Sequence, residues 1–130
     1  MKHSETFTAI AGALAKAAGE YLPIKRDRTV KVKMRSGGEY EFKYAPLDSI
    51  LAAVRPALCK HELVLVQSVV QEEVHQGSAI VREELLETRL IHSSGEWFAN
   101  TCPVLVSDGE NSAQAYGSAI TYARRYAITQ

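Results

Sequence analysis

Cys59-Lys60-His61 sets a thiol and an imidazole two residues apart, the residue types of a nucleophile and its base. On a helix that spacing puts them on different faces, and nothing nearby supplies a third group to orient the base. Cys102 stands beside Pro103 in a strand pattern and reads as a buried free cysteine. His3, His61, His75 and His92 are scattered without metal-ligand spacing. The pairs Glu72-Glu73 and Glu83-Glu84 could flank a cation across a hairpin. Adjacent strand residues point to opposite faces, however, so a solvated acidic surface is the expectation. No P-loop and no glycine-rich dinucleotide motif is present. The residue pattern therefore predicts no catalytic residue, no metal and no cofactor.

Binding chemistry has more support. A single-strand nucleic-acid surface needs cations for phosphates and exposed aromatic faces for bases. Lys31, Lys33, Arg35 and Lys43 lie beside Tyr40 and Tyr44, and Arg124 and Arg125 lie beside Tyr122 and Tyr126. Adjacent helical arginines are separated by about 100° of helix surface, so the two are free to serve different tasks. The alternative, equally open from composition, makes the tyrosines core and the arginines caps of a helix C-terminus, where the macrodipole favours cations.

The charge count at first opposes a polyanionic partner: 15 basic and 15 acidic residues give a formal net charge of +0. Its distribution does not. Segment 25–35 holds Lys25, Arg26, Arg28, Lys31, Lys33 and Arg35 against Asp27 alone. Segment 62–87 holds Glu62, Glu72, Glu73, Glu83, Glu84 and Glu87 against Arg82 alone, and residues 111–130 carry only Arg124 and Arg125. An electrostatically divided surface follows.

The elements that must position these groups are legible as periods. Ser4 as N-cap, then Phe7, Ile10, Leu14, Ala18 and Tyr21, predict a first helix closed by Pro23. Thr29–Met34 and Glu39–Tyr44 alternate around Ser36-Gly37-Gly38, a β-hairpin with one basic face and Tyr40, Phe42 and Tyr44 on one side. Taken alone, such a hairpin reads rather as a solvated edge whose lysines block aggregation. A second helix starts near Pro46 and carries Leu47, Ile50, Leu51, Val54 and Leu58, with a kink or break expected at Pro56. The period then becomes two. Leu63–His75, Ala79–His92 and Glu96–Val106 predict a three-stranded antiparallel meander in which Val64, Val66 and Val70 bury one face. Asn111 or Ser112 would cap a last helix reaching Thr129. Gln114, Ser118, Thr121 and Arg125 form its polar stripe, Ala115, Ala119, Tyr122 and Tyr126 a second stripe, and Gly117 implies close packing there.

The expected class is α+β: a hairpin plus a three-stranded meander, packed with helices, in one domain over residues 1–130. At 46% hydrophobic and 23% charged the composition is that of a globular chain. No apolar run approaches the ~20 residues of a membrane span, and no secretory pattern opens the chain. Two distant cysteines suggest reduced thiols in a cytosolic protein. Neither a glycine stop nor a proline follows the last helix, so the chain reads as cut within or just after it.

The run Gln114-Ala115-Tyr116-Gly117-Ser118-Ala119-Ile120-Thr121-Tyr122-Ala123-Arg124-Arg125-Tyr126-Ala127 resembles the signature of the Erf (essential recombination function) family of phage single-strand annealing recombinases. Tyr44-Ala45-Pro46-Leu47-Asp48, Lys60-His61-Glu62-Leu63 with Gln67, and Thr88–Glu96 support it in the family's order. One departure is Glu62, where the family has glycine, which puts a left-handed helix cap in doubt.

The resemblance implies ATP-independent binding of single-stranded DNA and annealing of complementary strands. It implies a core similar to the Rad-type annealing proteins, and homo-oligomeric rings or helical filaments in the cytoplasm of a bacterial host. A phage exonuclease or host single-strand-binding protein is implied as a further partner, and no membrane. Under that reading Arg124 and Arg125, with Lys31, Lys33, Arg35 and Lys43, hold phosphates. Tyr44 and Tyr122 contact base or sugar, and Thr121 with Ser118 donates to phosphate or packs the helix. The competing classes are a metal-dependent nuclease built on the acidic hairpin and an assembly module without DNA.

Overall fold

A computed structural model describes residues 1–26, 28–105 and 113–129 of the 130-residue chain. The order is β1 (Lys2–His3), α1 (Thr8–Ala18), β2 (Arg28–Lys33), β3 (Glu39–Tyr44), α2 (Leu47–Lys60), β4 (Leu63–Gln76), β5 (Ala79–His92), β6 (Trp97–Pro103) and α3 (Ala113–Thr129). Strands β1-β6-β5-β4 form one antiparallel sheet and β2-β3 a separate hairpin, an α+β architecture as expected.

The first helix begins later than Ser4. Lys2 and His3 pair with Ala99 and Phe98, and the ladder draws Ser4 in behind them. Its N–H donates to the Trp97 carbonyl at 2.9 Å, and its hydroxyl accepts the Trp97 N–H at 2.9 Å. With Ser4 occupied, the start of α1 is met from the turn before β6. Glu96 accepts the Ile10 N–H at 2.9 Å on one oxygen and the Thr6 hydroxyl at 2.7 Å on the other. These hydrogen bonds, that of Ile10 foremost, hold the Glu96 carboxyl below its ordinary pKa. The helix ends at Gly19, and Tyr21 lies beyond it.

In α2, Pro46 is the N-cap, and Ile50, Leu51, Ala53, Val54, Ala57 and Leu58 are buried at helical spacing. No break occurs at Pro56, which stands exposed inside a single helix. Proline removes the N–H owed to the carbonyl of exposed Ala52, where water can substitute. The adjacent Ala53 carbonyl accepts the Leu22 N–H at 3.0 Å from the segment that follows α1. Beyond α2, Glu62 itself takes the left-handed conformation, φ 63°. Its N–H donates to the Cys59 carbonyl and its carbonyl accepts the Ser93 N–H, each at 3.1 Å. The cap is therefore made with glutamate where glycine would be unstrained.

Ile10 and Ala17 of α1, Val54, Ala57 and Leu58 of α2, and Leu63 of β4 form the buried core, joined by Leu65, Leu90 and Phe98. The buried face of β4 is thus the opposite of the one expected. Leu63 is 5% exposed, whereas Val64 is 53% and Val66 42% exposed, with only Val70 half-buried. Leu-Val-Leu-Val is apolar on both faces, so alternation cannot choose between them, and a one-residue shift exchanges them entirely. The helices select the leucine face.

The β4–β5 hairpin closes on Gly77 at φ 62°, the positive angle that a two-residue turn of this kind needs. Strand β6 accompanies β5 only between Leu85 and Ile91, leaving residues 71–84 as a two-stranded arm among the described residues. Lys2 on the edge strand β1 and Glu72 on the opposite edge strand β4 form an ion pair at 3.9 Å. In a flat sheet three strand spacings and six residues would separate those positions by about 25 Å. The sheet is consequently strongly coiled.

Candidate functional site

The hairpin β2–β3 sorts its residues by face. Directly opposed residues share a face, so the register places Arg28, Val30 and Val32 with Tyr44, Phe42 and Tyr40 on one side. The other side carries Thr29, Lys31 and Lys33 with Lys43, Glu41 and Glu39. The basic face expected from sequence is therefore mixed: Lys31 lies 3.7 Å from Glu41, and Lys33 is opposed by Glu39. Arg35 is exposed in the connecting turn.

Helix α3 supplies the second wall. Its Ala123 is buried, and the Cys102 thiol lies 3.8 Å from the Ala123 carbonyl. Burial pushes that thiol's pKa up, which keeps it protonated and unreactive. Near the start of α3 the Tyr116 hydroxyl bonds the Glu84 carboxylate, which raises the tyrosine's pKa. So anchored, the helix turns Gln114, Gly117, Ser118, Thr121, Tyr122 and Arg125 toward Val30, Phe42 and Tyr44 of the hairpin. Between the two walls runs an open groove of ≈ 640 Å³.

Chemistry in the groove centres on Arg125. Its guanidinium lies 4.6 Å from the Tyr44 ring centroid and 5.4 Å from that of Tyr122, within cation–π range of both. Tyr122 and Tyr126 stack 6.3 Å apart with planes 8° from parallel, and both are about half exposed. The tyrosines are not core, so the bland alternative left open by composition fails for them. Thr121 donates its hydroxyl proton to the Gly117 carbonyl at 3.0 Å, leaving its oxygen as an acceptor only. Gly117 packs against nothing: a Cβ there would meet no atom within 4 Å. Its missing side chain widens the groove instead of admitting a neighbour.

Of the residues singled out from sequence, Arg125, Tyr44, Tyr122 and Thr121 converge on the groove. Lys31, Lys33 and Lys43 stand on the hairpin face turned from it. Arg124 is directed at the sheet, where its Nε donates to Gln67 Oε1 at 3.0 Å. Gln67 in turn donates to the Thr88 hydroxyl at 3.0 Å and to the Arg124 carbonyl at 3.2 Å. Sequence reasoning missed Arg28, which shares the face of Tyr44, and gave Phe42 no role. Strand parity was the signal for both, because Arg28, Val30 and Val32 have the same parity. The proposed caps Asn111 and Ser112 lie outside the described residues.

A second cavity of ≈ 330 Å³ lies between α2, the end of α3 and the sheet, lined by such residues as Val54, Leu58, Leu65, Leu90, Phe98 and Ile128. It is better enclosed, and its lining, which also includes Thr88, Asn100 and Thr101, carries no charged side chain to meet a phosphate. Among the described residues no group of three His, Cys, Asp or Glu side chains is arranged to hold a metal ion, the acidic arm included. No described helix is long and apolar enough to cross a membrane.

Comparison with known proteins bears on the same elements. A family model, that of the ERF superfamily, matches residues 14–130, a span that contains both walls of the groove. No curated protein matches the chain, and no solved structure does.

Proposed function

The chain belongs to the ERF superfamily, and from that premise we propose that it binds single-stranded DNA in the groove between the β2–β3 hairpin and α3. Membership implies single-strand annealing in phage recombination. The finer reading is that the protein anneals complementary strands without ATP and without a covalent step. It would relieve phosphate repulsion between strands and hold one of them extended for pairing.

One observation carries this reading: the Arg125 guanidinium sits 4.6 Å from Tyr44 and 5.4 Å from Tyr122 in an open groove. A cation against aromatic rings, with Tyr122 exposed and Tyr44 half-buried, is a combination that suits single strands. Arg125 and Arg28 take phosphates, while Tyr44 and Tyr122 contact base or sugar, and Thr121 offers its oxygen to a base or sugar donor. Lys31, Lys33, Arg35 and Lys43 attract the polyanion from the hairpin's outer side. Arg124 contributes by holding α3 in place.

Assembly into a ring or filament belongs to the same proposal. The acidic arm, with Glu72, Glu73, Glu83 and Glu84, is opposite in sign to segment 25–35. Head-to-tail contacts between such surfaces generate rings or helices, and an exonuclease or a host single-strand-binding protein would supply or share the strand.

The test is annealing of complementary oligonucleotides without nucleotide, with binding measured across a salt series and oligomer mass in parallel. Each neutralised phosphate contributes a slope of about 0.7 log unit per log salt on single strands. Arg125→Ala is expected to weaken binding and lower that slope by about one such increment. Salt-independent binding, or unchanged binding by folded Arg125→Ala, would refute the proposed site.

A further inference from the structure

The unexplained feature beside the groove is a row of aromatic rings. Tyr40, Phe42 and Tyr44 alternate along β3, with centroids 6.3 Å and 6.4 Å apart. Tyr40 is 47% and Phe42 45% exposed, although each opposes a half-buried valine across the hairpin. A solvated hairpin should turn its polar side outward. Here the charged side chains of Lys31, Lys33, Lys43, Glu39 and Glu41 occupy one face, and the other shows ring surface to open space. Helix α3 does not close over it, since the groove intervenes.

We propose that Tyr40 and Phe42 continue Tyr44 into a ladder on which successive unpaired nucleobases stack, one base to a ring. The inference rests on the single-strand reading above and specifies which part of the strand the hairpin holds. Continuity argues for nucleobases as the occupant: Phe42 and Tyr44 line the groove whose opposite wall carries Arg125, Ser118 and Gln114. A base on Tyr44 thereby has its phosphate within reach of the guanidinium. The spacing adds a constraint. Stacked bases in duplex DNA rise 3.4 Å per strand position, roughly half the distance between these rings. A strand laid along the ladder must therefore be extended, with its bases separated from one another. Duplex cannot comply, because its bases are already stacked within the helix.

The experiment uses the full chain and two 12-residue probes of equal charge, oligothymidylate and an abasic deoxyribose-phosphate oligomer, followed by fluorescence anisotropy. The wild-type protein is expected to bind oligothymidylate about 5- to 150-fold more tightly for each base stacked. Tyr40→Ala/Phe42→Ala should bring oligothymidylate down toward the abasic probe, leaving abasic affinity and salt slope unchanged. Tyr40→Phe, which keeps the ring, should behave as wild type. Equal wild-type affinity for both probes overturns the ladder and leaves the groove as a backbone site. No binding of either probe fails the single-strand reading itself. A double variant that changes oligomer mass but not the ratio of affinities also overturns the ladder, and assigns the rings to contact with a second copy. Should the double variant not fold, Tyr40→Ala and Phe42→Ala made singly carry the test. Each should lose part of the preference for oligothymidylate, and a preference kept in full by both overturns the ladder, because Tyr44 and Tyr122 alone would then account for it.

Discussion

Arg124 and Arg125 are adjacent in sequence, and their positions in the fold predict opposite mutant behaviour. Arg124→Ala removes a charge-assisted bond of 3.0 Å to Gln67 and leaves the half-buried Gln67 oxygen without that partner. Hydrogen bonds to charged groups contribute about 1.5–3 kcal/mol, so a loss near 2 kcal/mol is expected. Unfolding entropy of about 2.1 cal/mol/K per residue over 130 residues converts this to a melting temperature lower by about 7 °C. Arg125→Ala removes cation–π contacts to two rings, Tyr44 and Tyr122, each about 0.5–1 kcal/mol at partly exposed sites, or about 2–4 °C apiece. The salt slope of DNA binding is what separates the two, falling for Arg125→Ala and holding for Arg124→Ala. Thermal melts by circular dichroism and binding titrations on the same preparations measure both. Gln67→Ala supplies the third corner of a double-mutant cycle, in which coupling to Arg124 of about 1 kcal/mol or more is expected. An Arg124→Ala protein that melts within about 1 °C of wild type and loses salt slope as Arg125→Ala does would refute the division of roles.

Two further perturbations test how the core elements are held. Glu96 has a lowered pKa in the folded chain because it accepts the Ile10 amide and the Thr6 hydroxyl. The stability it contributes is therefore present above the unfolded carboxyl's pKa and is lost as pH falls through the folded one. Melting temperatures of wild type and Glu96→Gln should differ at neutral pH and converge in acid; parallel curves would show that the carboxylate charge is not what holds α1. Glu62→Gly relieves a φ of 63° at the end of α2. Against the extra freedom glycine brings to the unfolded chain, the net gain should be about 0.5–1 kcal/mol, or about 2–4 °C in melting temperature. A lower melting temperature for the glycine variant would mean that the Glu62 side chain makes a larger contribution than its backbone strain costs.

Much of this architecture is written in periodicity. The hairpin, the meander and the last helix follow from runs of two and 3.6, and Gly77 marks its turn. What stayed hidden depends on contacts between distant segments. Ser4 has the chemistry of an N-cap, yet a two-residue strand on β6 claims it and Glu96, eighty-six residues beyond Ile10, replaces it. The apolar run at Leu63–Val66 suits either face of β4, and only packing by α1 and α2 decides. Gly117 carries no sign of whether its missing side chain admits a neighbour or opens a groove. At the site, the 100° step between Arg124 and Arg125 announces two directions, but Gln67, fifty-seven residues away from Arg124, determines which arginine turns to the sheet. The aromatic side of the hairpin was legible by parity, whereas its exposure was not.

The two-stranded arm has a consequence for cooperativity. Along residues 71–84 each rung is braced from neither side by a third strand among the described residues, and Glu72 faces Glu83 directly. Like charges opposed across a ladder disfavour pairing, and backbone bonds with few buried neighbours open at low free energy. The ribbon can therefore part from its tip at Gly77 back toward the Glu72–Glu83 rung, short of Glu84, which Tyr116 and the Val104 N–H hold, while the leucine core beneath α1 and α2 stays closed. Opening of the arm and unfolding of the domain are separate equilibria. The first is set by ionic strength, acting on the opposed glutamates and on the Lys2–Glu72 ion pair, the second by the core.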